Sequence, residues 1–78
     1  NPPQALVELN DALEAAKAVE LALASYAGLA MLARQLGEEE FARLLDHNRH
    51  LEEEMRAALE QALPQVAAEF SEQLRRAA

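Results

Sequence analysis

Between Gln4 and Leu36 apolar residues recur at alternating three- and four-residue steps: Leu6, Leu9, Leu13, Ala16, Leu23, Ala27 and Met31. That spacing is the period of an amphipathic helix. Ala, Leu, Glu, Lys, Arg and Gln fill the stretch, all good helix formers, and only Gly28 interrupts them. Asn1-Pro2-Pro3 reads as the start, since Asn suits an N-cap and Pro is tolerated in a first turn. Gly37 stands where a helix wants a left-handed terminal residue. Glu38, Glu39 and Glu40 then open a second helix at the end where negative charge is favoured. Its stripe is Phe41, Leu44, Leu45, Leu51, Met55, Leu59 and Ala62. The expected stop is Leu63, because Pro64 lacks an amide proton and its ring meets the carbonyl four residues back. Residues 64–76 are then predicted to form a short third helix built on Val66, Phe70 and Leu74, with Arg75 and Arg76 near its end.

The linker around Gly37 is so short that helices 4–36 and 38–63 must turn back on each other as an antiparallel hairpin. LALASYAGLAMLA (residues 21–33) is apolar on every side of its helix, which calls for burial by more than one neighbour. A hairpin supplies one. The expected fold is therefore all-α: a long antiparallel hairpin plus a short C-terminal helix, self-associating into a four-helix bundle or larger ring.

Composition pushes the same way. Seventy-eight residues make one small domain, near the lower limit for an independent core. Much of the apolar content is alanine, with two Phe, one Tyr and no Trp as bulky fillers. The absence of cysteine excludes disulfides, zinc ribbons and thiol chemistry, which leaves oligomerisation as the common route to stability. A homo-oligomer is thus the expected state, with an adaptor that captures a larger protein partner as a rival reading. The formal charge of −7, with fourteen acidic against seven basic residues, argues against nucleic acid and against an anionic membrane surface. The longest uncharged run has thirteen residues where a spanning helix needs ~20, so no membrane anchor is expected. No signal peptide is visible, and the cytoplasm is the expected location. The chain opens at Asn1 without Met, which leaves room for it to be a piece of something longer. There is no Gly-rich phosphate loop, and Ser25 and Ser71 have no His and Asp arranged beside them.

Two carboxylates fall on or near the apolar stripes. Glu20 sits within the first, and Glu52 lies at the edge of the second, close to Asn48. With the turn near Gly37, Glu20 is level with about Met55, so the two carboxylates come to similar depths on facing helices. That is a geometry used by carboxylate-bridged metal centres. The plainer alternative is a seam carboxylate near a bundle edge that reaches water or pairs with an arginine of a neighbouring chain, Arg49 and Arg56 being the possible partners. His47, His50 and Glu54 cluster by helical spacing and could hold a cation, but their face points away from the apolar stripe and reads as a solvated charged face.

The segment VELALASYAGLAMLARQLGEEEFARLLDHNRHLEEEM resembles the ferritin-like superfamily. It is most similar to the YciE/YciF-type stress proteins, and LLDHNRHLEEE also resembles the helical-hairpin ferritins packaged in encapsulin shells. That resemblance implies a Glu on one helix and a Glu-x-x-His on the next, two such sets enclosing di-iron or di-manganese. By position, Glu20 is the first ligand and Glu52 the Glu of the second motif. Met55 stands where the motif needs His, and a thioether is a poor ligand for hard metals. An all-carboxylate centre, recruitment of His47 or His50, and a lost centre all remain open. The leading expectation is a bundle whose metal site is degenerate or weak and which acts mainly through assembly; its rival is an active ferroxidase-type protein.

Overall fold

The computed structural model describes residues 2–78. It contains two helices, α1 (Gln4–Gln35) and α2 (Glu39–Ala77), packed as an antiparallel hairpin. Asn1, the expected N-cap, lies outside the described residues. Pro3 takes the cap position with extended backbone (φ −57°, ψ 144°), and its carbonyl accepts the Leu6 and Val7 amides at 3.0 and 3.2 Å. At the turn, the Gly37 amide donates to the Arg34 carbonyl (3.1 Å) and the Glu38 amide to the Ala33 carbonyl (2.8 Å). This paired closure requires a left-handed residue at its centre, and Gly37 supplies it at φ 78°. Glu39 and Glu40 follow in the first turn of α2, Arg75 and Arg76 in its last, each matching the helix dipole.

The short third helix does not exist as a separate element. α2 runs unbroken through Pro64 to Ala77. Pro64 and Glu60 are both exposed residues, so water has access to the stretch where the Glu60 carbonyl loses its donor. The lost bond is real, but solvent access removes the reason to break the helix there.

The seam between the helices also differs from the predicted stripes. On α1 it follows Ala5, Leu9, Ala12, Ala16, Val19, Leu23, Tyr26, Ala30 and Ala33, a regular succession of four- and three-residue steps. Its counterpart on α2 begins at Ala42 and Leu45 and continues through half-buried Glu52, Arg56, Leu59, Leu63, Val66 and Phe70. The tightest packing joins Ala30, Ala33, Ala42 and Leu45, with Tyr26 against them. Leu6, Leu13, Ala27 and Met31, expected inside, are exposed, as are Phe41, Leu44, Leu51 and Met55. The reason on α1 is that residues 21–33 are apolar around the whole circumference, so period alone cannot choose a face there. Alanines let two backbones approach most closely, and the hairpin closes on them.

The molecule measures 61 × 20 × 12 Å, the thickness of a single helix layer. Both edges of the seam are therefore accessible, and they are chemically unlike. One carries the ion pairs described below. Helical spacing puts Leu29, Leu32 and Leu36 of α1 on the other, beside Phe41, Leu44, Leu51 and Met55 of α2.

Candidate carboxylate site

Glu20 projects from α1 at the edge of the seam, between the core and solvent. Arg56, one of the half-buried seam residues of α2, reaches across to it. Its Nε donates to Oε1 at 2.7 Å and its Nη2 to Oε2 at 3.0 Å, a two-pronged guanidinium–carboxylate pair. Both side chains keep substantial solvent contact, 60% exposed for Glu20 and 42% for Arg56. The hydrogen bond from Arg56 to Glu20 pushes the Arg56 pKa up, with desolvation acting the other way and the charges of Glu20, Glu60 and Glu53 adding to the rise. Ala16, Val19, Leu59 and Leu63 wall a notch of about 90 Å³ beside this pair.

Glu52 stands four residues before Arg56 on α2, half-buried on the seam. Among the described residues its carboxylate takes part in no ion pair or side-chain hydrogen bond. Met55, three residues on, is exposed. His50 Nε2 lies 3.1 Å from Glu54 Oε1 on the outer surface of α2, and His47 is exposed on that outer surface too. Among the described residues no three His, Asp or Glu side chains converge on a point where a metal could sit. Within one hairpin the donors do not fit a dinuclear centre. Both oxygens of Glu20 are engaged by a guanidinium, and a cation there would have to displace it.

A second ionic cluster, unanticipated from the sequence, lies nearer the turn. Arg34 in the last turn of α1 donates a hydrogen bond to half-buried Asp46 of α2. Glu39 lies 3.9 Å from Arg34, and Arg49 lies 3.9 Å from Asp46. The hydrogen bond from Arg34 holds the Asp46 carboxyl below its ordinary 3.8, against a desolvation effect that would raise it. Arg34 is raised in turn, chiefly by the same bond. Spacing gave no clear signal for this pair: Arg34 stands close before Gly37 and Asp46 well after it, and the contact depends on the reach of the long Arg34 side chain.

A family model described as a domain of unknown function, DUF892, matches residues 6–72. The chain belongs to the DUF892 family. That family is part of the ferritin-like superfamily, in agreement with the resemblance over roughly residues 15–63. No curated protein and no solved structure gives a match to the chain. Within this DUF892 hairpin α1 has one further property: an 18-residue window of mean hydropathy 1.3, long and apolar enough to cross a membrane by length and composition alone. In this fold those apolar side chains are divided between the seam with α2 and the exposed faces of the hairpin.

Proposed function

We propose that this DUF892 hairpin is an assembly module: half of a ferritin-like four-helix bundle, completed by pairing with a second hairpin, with a carboxylate site that is degenerate. The observation that carries this reading is the single-layer shape. A helix layer needs a second layer to bury its apolar side, and this one is 12 Å thick with large side chains uncovered. A YciE/YciF-type relationship and a cytoplasmic setting belong to the same reading, supported by the sequence resemblance and by the acidic, cysteine-free composition. Glu20 is then a partner for Arg56 and Glu52 a residual seam carboxylate. The competing reading keeps Glu20 and Glu52 as iron or manganese ligands assembled across a dimer interface.

The experiment is iron loading. The purified protein is incubated aerobically with ferrous iron and desalted, and retained iron is measured by elemental analysis beside a Glu20→Ala/Glu52→Ala double variant. The expected result is a folded oligomer that keeps no more iron than the variant. Stoichiometric iron that disappears in the double variant would replace the assembly reading with the metal-binding one.

A further inference from the structure

We infer that the guanidinium of Arg56 takes the electrostatic place of a metal ion on this seam: the hairpin carries its bridging cation as a side chain, and that cation excludes a metal from Glu20. This rests on the degenerate-site reading above and names what has replaced the metal.

Glu52 and Glu53 stand four and three residues before Arg56 on α2, and Glu60 four residues after it, so all three lie within about one helical turn of it. Glu20 faces Arg56 from α1. Glu53 is shared with Arg49, whose Nε lies 3.7 Å away. Even so, acidic groups outnumber basic ones along this part of the seam, an imbalance that the carboxylate centres of ferritin-like proteins meet with metal ions.

The partner that Arg56 takes is not the nearest one in sequence. Glu52 precedes it by four residues, the favourable order for a pair within one helix, and that pair would need no second element. Arg56 instead reaches across the seam to Glu20, with Nε on Oε1 at 2.7 Å and Nη2 on Oε2 at 3.0 Å. Both oxygens that a metal would use are taken. The guanidinium thus joins a carboxylate of α1 to α2, as a bridging ion joins ligands from two helices. A lysine would offer one point charge there, whereas the planar fork of arginine meets both oxygens at once. A divalent ion brought to Glu20 would have to break both hydrogen bonds and sit beside a side chain that never loses its charge.

The missing histidine at residue 55 is then not the cause of the lost site. Met55 is 51% exposed and belongs to the apolar edge of the seam, whereas Glu20 and Arg56 pair on the charged edge. A histidine in its place would stand on the wrong side of the hairpin from Glu20.

Manganese binding separates the two causes. Arg56 keeps 42% of its side chain in solvent and lies outside the cluster of Ala30, Ala33, Ala42 and Leu45, so its replacement leaves the tightest packing intact. Arg56→Gln, Arg56→Met, Met55→His and the double variant Arg56→Gln/Glu20→Gln are made in the full 78-residue chain. Each is titrated with Mn2+ while the free-ion electron paramagnetic resonance signal is followed, with circular dichroism melts in chelator and in Mn2+. The wild type and Met55→His are expected to leave the free-ion signal unchanged and to melt alike in both media. Arg56→Gln and Arg56→Met are expected to bind Mn2+ about tenfold or more tightly than the wild type, since the like charge is gone. Their melting temperatures should rise with added Mn2+, and the second change in the double variant should abolish the gain. If the Arg56 variants take up no more Mn2+ than the wild type, or if Met55→His is the change that restores binding, the inference is overturned and the degenerate-site reading stands. A wild type that itself binds Mn2+ stoichiometrically overturns both.

Discussion

Asp46 is the residue whose charge the fold uses most directly. Arg34 donates a hydrogen bond to it across the hairpin and lowers its pKa from the ordinary 3.8. A carboxyl depressed on folding contributes stability that is fully present above its unfolded pKa and is lost as pH falls through the folded one. Melting temperatures of the wild type and Asp46→Asn should therefore differ most near neutrality and converge in acid well below pH 3.8. A difference independent of pH would mean that Asp46 acts through packing alone. The two glycines make a second residue-scale contrast. Gly28 lies in the interior of α1, where an added Cβ would meet nothing within 4 Å, whereas Gly37 holds φ 78° at the turn. Gly28→Ala should stabilise the chain by about 1 kcal/mol through helix propensity. Gly37→Ala should destabilise it by about 1 kcal/mol, because a Cβ is disfavoured in the left-handed region. Urea midpoints moving in the same direction for both would contradict this account.

At the scale of elements, the long α2 is the chief departure from what the chain pattern predicted. Proline in a helix interior costs about 3 kcal/mol relative to alanine, through a missing hydrogen bond and a ring clash. α2 nonetheless continues because Pro64 faces solvent and because Leu63, Val66 and Phe70, on either side of it, keep contact with the seam. Pro64→Ala should raise both the melting temperature and the far-ultraviolet helical signal. An unchanged melting temperature would show that residues 65–77 add nothing to the cooperative unit. α1 presents the converse case. Its helical state was plain from composition, but its buried face was not, since leucines and alanines surround the axis and the choice falls to whichever face fits α2 most closely.

At the scale of the molecule, two helices in one layer leave a large apolar surface in water. Association that buries it couples folding to protein concentration. The thermal midpoint of the wild type should therefore climb as the chain is concentrated, while Leu44→Glu should show a lower and flatter dependence. A midpoint that ignores concentration in the wild type would count against a second copy on this face.

The helical state, the turn at Gly37 and the superfamily resemblance were all legible in the chain, because helix propensity, dipole-matched charges and a left-handed glycine act over a few neighbouring residues. The candidate carboxylates were legible as residues out of place, and Arg56 was among the possible partners, though expected from a neighbouring chain rather than from the same hairpin. What pairing each would make was not, for it depends on how far one helix is rotated against the other. Only the tertiary structure decided that rotation. It turned Glu20 toward Arg56 and Arg34 toward Asp46, placed the alanines of α1 against Ala42, and left Phe41 and Leu44 outside. A one-dimensional pattern records the period of a helix, but a helix apolar on all sides has no phase to record, and phase is set only when a second surface packs against it.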